Sequence, residues 1–104
     1  MKKVYIAGKY NDENIIKCLA NIKLGIKAAV KAFHEGYIPF CPWLDFLFNL
    51  VGDVDLTNAQ YKAYSMVWLD ACDEIWLLPN WVDSGGAKAE LERARELKLV
   101  EKYL

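Results

Sequence analysis

The first forty residues change hydrophobic period twice, and that change restricts the fold more than any other feature. Val4 to Ala7 is a short apolar run of strand-favouring residues stopped by Gly8, which reads as a buried strand entering a turn. After the polar "NDEN", Ile15, Leu19, Ile22, Ile26, Val30 and Phe33 recur at spacings of three and four, with lysines 17, 23, 27 and 31 opposite. This predicts a long amphipathic helix with that apolar stripe facing the core, closed by Gly36. "YIPF", Tyr37 to Phe40, is a second short strand, and Pro39 restricts it to an edge or ends it early because proline cannot donate to a ladder. A strand–helix–strand crossover is right-handed and makes its two strands parallel.

The rest of the chain repeats this alternation. Trp43 to Val51, "WLDFLFNLV", is too apolar for a solvated loop, so it is expected to fold back over the domain, where it could wall a pocket, or to meet a partner. From about Leu56 to Asp70 a second helix is predicted, with Tyr61, Tyr64, Val67 or Trp68, and Ala71 on one side. "DEIWLLP" is a third strand ended by Pro79. Asp83 or Ser84 caps a third helix reaching about Lys98, and "LVEKYL" remains for a short last strand or tail. The reading is a single domain over residues 1–104. It is a three-layer α/β domain, flavodoxin- or Rossmann-like, with a parallel sheet of about four strands and flanking helices.

Charge and cysteine content exclude several classes of partner. Thirteen basic residues against fourteen acidic ones leave no field to attract nucleic acid or an anionic membrane. A small molecule or another protein is the expected partner. Cys18, Cys41 and Cys72 are odd in number, far apart and set in apolar runs, which argues against a disulfide framework or a zinc motif and for a reduced, cytoplasmic setting. The apolar run behind the two N-terminal lysines is too short for a signal peptide or a membrane span. With 55% hydrophobic residues in 104, the chain has limited room to bury its apolar surface, so a homodimer or larger assembly is expected.

One acid breaks the pattern. In the helix after "SGG", Ala87, Leu91, Ala94 and Leu97 define an apolar arc, and Glu90 falls inside it while Lys88, Glu92, Arg93, Arg95 and Glu96 fall outside. An ionised carboxylate facing a core costs several kcal/mol unless donors or a wet cavity compensate. Glu90 therefore either lines a pocket or is paired at the helix flank. Ser84, Gly85 and Gly86 before it offer a hydroxyl and free backbone N–H groups at a helix start, suited to a phosphate or a sugar hydroxyl, or simply a capped turn. In parallel α/β sheets ligands bind beyond the carboxyl ends of the strands, and the loops Gly8-Lys9-Tyr10 and Asn80 to Gly86 both follow strands directly. The two loops and Glu90 are expected to share one crevice.

"VYIAGKY", "GYIPFCP" and "WLDACDEIWLLPNWVDSGGAKAELERA" together resemble the nucleoside 2-deoxyribosyltransferase-like superfamily, which includes deoxynucleoside 5′-monophosphate N-glycosidases; the similarity spans nearly the whole chain. The resemblance implies that Glu90 is a nucleophile attacking the anomeric carbon of a 2-deoxyribosyl group, with Tyr5 orienting it. It implies that Ser84 contacts the sugar or its 5′ group, that Gly8, Gly85 and Gly86 let backbone approach the ligand, and that Lys9 adds charge toward a 5′-phosphate. Tyr10 shares the first of these loops. The implied ligand is a nucleoside or nucleotide, with no cofactor and no metal. Catalytic members carry an aspartate eight residues before the position of Asp73, and Ser65 stands there in this chain. That departure, with the missing later strand and C-terminal contacts of relatives, keeps open a non-catalytic nucleotide-binding module. Trp43 and Trp81 could stack on a base or pack in loops, whereas Trp68 and Trp76 are expected in the core.

Overall fold

The computed structural model describes the backbone of residues 1–104 and all side chains but those of Leu44, Asp45 and Asn49. The elements are β1 (Lys3–Ala7), α1 (Ile15–His34), β2 (Ile38–Phe40), α2 (Leu44–Val51), α3 (Asn58–Asp70), β3 (Glu74–Leu77), a 3-10 turn (Trp81–Asp83), α4 (Gly85–Glu96) and β4 (Val100–Tyr103). The four strands form one parallel sheet in the order β2-β1-β3-β4. Helices cover both faces, so the three-layer α/β expectation holds.

Strand alternation divides the core in two. Tyr5 and Ala7 of β1 with Ile75 and Leu77 of β3 face Leu69 of α3 and Ala87, Leu91 and Ala94 of α4. Val4, Ile6, Trp76 and Leu78 face α1 through Ala28 and Ala32. The pairing Tyr5↔Ile75 and Ala7↔Leu77 sets both groups in register.

Helix α1 forms where its period predicts, but it turns a different face inward. Cys18, Gly25, Ala28 and Ala32 are buried, while Ile15, Leu19, Ile26, Val30 and Phe33 point outward, Phe33 being 65% exposed. The helix carries two apolar stripes, one of small residues and one of large. The small one wins because it lets the helix lie close to a sheet whose volume is already filled by Trp76 and Leu78.

The other helices also shift in detail. Thr57 caps α3 in a reciprocal capping box with Gln60, so the helix starts two residues later than the apolar pattern implies. Its fully buried anchor is Leu69, while Val67 is exposed and Trp68, expected in the core, is 45% exposed and stacks on Phe40 with ring centroids 4.8 Å apart. Trp76 is fully buried as expected. The apolar segment after Pro42 is helical, not a loop: Phe48 meets Tyr64 edge-on at 5.8 Å, and Leu50 and Val51 stay largely exposed. The last residues form a true edge strand beside β3. Arg93 forks onto Asp70 at 2.9 and 3.2 Å and ties α4 to α3, while Arg95 reaches Glu101 of β4. Among the described residues, no helix is long and apolar enough to cross a membrane.

Candidate functional site

Because β1 runs to β2 on one side and pairs with β3 on the other, the loops leaving β1 and β3 diverge at their carboxyl ends and open a crevice. Asn80 fixes the distance between them. Its amide donates to the Lys9 carbonyl at 3.2 Å and its side-chain oxygen accepts from the Lys9 N–H at 2.9 Å. Gly8 permits that approach, since a Cβ there would stand 2.6 Å from Leu78 Cδ1 and 2.9 Å from Asn80 Oδ1.

On the far side of the crevice, Ser84 caps α4 by accepting from the Ala87 N–H at 3.0 Å. Gly85 and Gly86 then present backbone with little side chain; a Cβ on Gly85 would meet no atom within 4 Å. One turn further, Glu90 points inward and is 7% exposed. The Tyr5 hydroxyl, fully buried on β1, donates a hydrogen bond to Glu90 Oε2. A buried carboxylate needs such a donor, and β1 supplies it at the crevice floor.

Burial, with the negative charge of Glu90 behind it, holds the Tyr5 phenol well above the ordinary tyrosine range, while a hydrogen bond with the Ser65 side chain pulls weakly the other way. Tyr5 therefore stays protonated and remains a donor. Ser65, Tyr5 and Glu90 form one polar line from α3 across one face of the sheet to α4. Tyr10 is also raised well above its usual range, first by burial and then by Cys41 and Glu90, and its hydroxyl donates to the Ile6 carbonyl at 2.8 Å.

These groups border one cavity of about 880 Å³, within the range of small-ligand sites. Gly8, Tyr10, Trp43, Ser65, Ser84, Gly85, Gly86 and Glu90 all line it, and Tyr5 reaches it through Glu90. Trp43 is seated by α1: its ring lies 4.8 Å from Tyr10, in a notch that exists because residue 25 is glycine. Two expected contributors lie elsewhere. Lys9 turns its ammonium to Asp12 at 3.6 Å, in a separate depression with Asn11 and Glu13. Trp81 belongs to the 3-10 turn and packs on Tyr103 at 5.8 Å, away from the cavity lining.

The cavity also has a wall that apolar patterning does not reveal. Asn58, Tyr61, Lys62, Ser65 and Met66 line it from α3. Their spacing of three and four puts them on one helix face; Tyr61 and Ser65 were singled out by the sequence, whereas Asn58 and Lys62 are polar, so a search for apolar periodicity passes over them. Phe46 and Leu50 of α2 and Ile15, Cys18 and Ile22 of α1 add apolar surface to the lining. Among the described residues, no group of three or more His, Cys, Asp or Glu side chains is placed to hold a metal ion.

Residues 2–103 match a family model described as a domain of unknown function, DUF4406. The chain belongs to the DUF4406 family. No curated protein matches it. In this DUF4406 domain the match runs from before β1 through the last residue of β4, so the sheet, both helical layers and every residue of the Ser65–Tyr5–Glu90 line lie within the family's bounds.

Proposed function

We propose that the protein cleaves or transfers at the N-glycosidic bond of a 2-deoxynucleoside or its 5′-monophosphate, with Glu90 as nucleophile. The observation that carries this reading is the buried Tyr5–Glu90 hydrogen bond at the wall of the cavity beyond the strand ends. The resemblance of "VYIAGKY" and "SGGAKAE" to nucleoside 2-deoxyribosyltransferase-like proteins supports the assignment of roles.

In the proposed reaction one Glu90 oxygen attacks the anomeric carbon while Tyr5 holds the other. A C–O ester bond forms, the C–N bond breaks, and its electron pair leaves with the base, which takes up one proton. Water then hydrolyses the ester to release deoxyribose and restore the carboxylate, or a second base takes the sugar, in either case with net retention. Water or an acceptor base is the sole co-reactant, so the scheme calls for no cofactor. The Ser84 hydroxyl and the Gly85 and Gly86 backbone at the start of α4 suit a sugar hydroxyl or 5′ group. The indole of Trp43 offers a face for the base.

The test is incubation of the chain with deoxynucleosides and their 5′-monophosphates, with and without an acceptor base, following free base by chromatography. Release without acceptor identifies a hydrolase, and base exchange a transferase. If no substrate releases base and Glu90→Ala binds nucleotide as tightly as wild type, the proposal fails.

Ser65 favours a second reading, a nucleotide-binding module without turnover. A serine hydroxyl does not protonate a leaving base at neutral pH, and general-acid help is worth about 10²- to 10⁴-fold. Thermal stabilisation by nucleotides with no base released, and base release appearing in Ser65→Asp, would select this reading.

A further inference from the structure

The reaction proposed above leaves the source of one proton unassigned, the one that the departing base takes up. The α3 wall is placed to supply it. α3 ends at Asp70, just before β3 begins at Glu74, so its first turns rise toward the carboxyl ends of the strands, where the cavity lies. Lys62 stands on that wall, three positions before Ser65 and so about 4.5 Å nearer the strand ends along the helix. Among the described lining residues it is the one Lys, Arg or His, just as Glu90 is the one Asp or Glu. The residue is exposed, and unlike Lys2, Lys9, Arg93 and Arg95 it makes no ion pair with a described residue. Its ammonium is a donor on a flexible four-carbon stem at the cavity rim.

We propose that Lys62 is the general acid of that reaction, giving its proton to the leaving base where Ser65 cannot; this assignment rests on the N-glycosidic reading. The movement of charge asks for a cation on this wall. As Glu90 closes its ester bond its negative charge is neutralised, and the electron pair of the breaking C–N bond carries that charge onto the base. An ammonium N–H bond breaks as the N–H bond of the base forms, which leaves base and amine neutral. When water opens the ester, the amine takes the proton that the water sheds, and both the ammonium and the Glu90 carboxylate are restored. Other proton-bearing side chains of the lining are engaged or too weakly acidic. Tyr10 donates to the Ile6 carbonyl at 2.8 Å and Cys18 Sγ to the Asp12 carbonyl at 3.1 Å. Ser65 and Ser84 carry alcohols, and the amides of Asn11 and Asn58 do not ionise. Tyr61 has a phenol, but it brings no positive charge to meet the one building on the base.

The experiment compares leaving groups on the full chain. A natural deoxynucleotide needs a proton on its departing base, whereas the base of 7-methyl-2′-deoxyguanosine 5′-monophosphate is already cationic and departs neutral. Because residue 62 is exposed, Lys62→Met and Lys62→Arg should keep the wild-type circular dichroism. On the natural deoxynucleotide that wild type cleaves fastest, both should lose about 10²- to 10⁴-fold in kcat. On the methylated nucleotide both should stay within about threefold of wild type. The arginine variant keeps the charge and still fails, because a guanidinium does not give up a proton. Equal losses on the two nucleotides, a Lys62→Arg chain at the wild-type rate, or a leaving-group-dependent loss in Tyr61→Phe in place of Lys62→Met overturns this assignment while Glu90 still releases base. If wild type does not accept the methylated nucleotide, added ethylammonium decides: it should raise the rate of Lys62→Ala at least about tenfold, and no rescue overturns the assignment. A wild type that releases base from no deoxynucleotide overturns the N-glycosidic reading itself, and the role of Lys62 with it.

Discussion

The Tyr5 hydroxyl on β1 donates to the carboxylate of Glu90 on α4, a residue 85 positions further along the chain. Both side chains are buried, and both depend on elements anchored independently, the one by two neighbouring strands and the other by the Ser84 cap and the Arg93–Asp70 fork. The carboxylate is therefore held at a fixed place on the cavity wall before any ligand arrives.

Replacing Glu90 by glutamine keeps an acceptor for Tyr5 and removes the proposed nucleophile. Glu90→Gln should fold normally and lose base release by at least about 10³-fold while keeping nucleotide-induced thermal stabilisation. Intact-mass spectrometry of quenched wild type should show a deoxyribosyl adduct that the variant lacks.

Tyr5→Phe leaves the buried carboxylate without that donor. Urea unfolding should show a loss of about 1.5–3 kcal/mol, the usual worth of a hydrogen bond to a charged group. A loss well under this range would mean that water or another side chain already serves Glu90.

Gly25→Ala tests the seating of Trp43. The new Cβ would stand 2.4 Å from Trp43 Cζ3 and 2.9 Å from Tyr10 Cε1. Overpacking of this kind costs about 1–3 kcal/mol, and the displaced indole should weaken nucleotide-induced stabilisation as well. Adding Trp43→Leu should recover part of the lost stability, because the two sites share the clash.

Alkaline pH should destabilise the fold in a predictable order. Burial pushes the Cys41 thiol up to about 12 and Cys72 up to about 11, and raises Tyr5 and Tyr10 well above the tyrosine range. Each group is protonated in both states at low pH. Once pH passes the ordinary value of each, the unfolded chain releases the proton first, so the native state binds more protons and stability falls as pH rises. The decline should begin near pH 9 with the thiols and steepen above about 10 with the tyrosines. Cys41→Ala should flatten the first part, as measured by denaturant titration at fixed pH steps. At neutral pH the same burial should keep Cys41 and Cys72 slow toward iodoacetamide until the chain is unfolded.

Sequence periodicity sufficed for the alternation of strands and helices, the parallel sheet, and Glu90 as the one charge within the α4 arc. Those features follow from local spacing, and spacing is legible residue by residue. The face that α1 turns inward was not legible, because both of its stripes are apolar and only the volume left by Trp76 and Leu78 chooses between them. Nor were Asn58 and Lys62, which join Tyr61 and Ser65 on the α3 wall of the cavity but carry no hydrophobic contrast. Lys9 and Trp81 stand next to the right loops in sequence and yet lie outside the cavity lining, since an ion pair with Asp12 and a ring contact with Tyr103 draw them away.

By itself, then, the amino-acid order determined the first three strands and the helices α1, α3 and α4, and that one carboxylate stands where an apolar side chain would be expected. Tertiary structure alone decided what that carboxylate meets. Tyr5, Ser65 and Glu90 lie on three separate elements, and only the packing of α3 and α4 onto one face of the sheet brings the Tyr5 donor to the buried acid and so lowers the cost of keeping a carboxylate there.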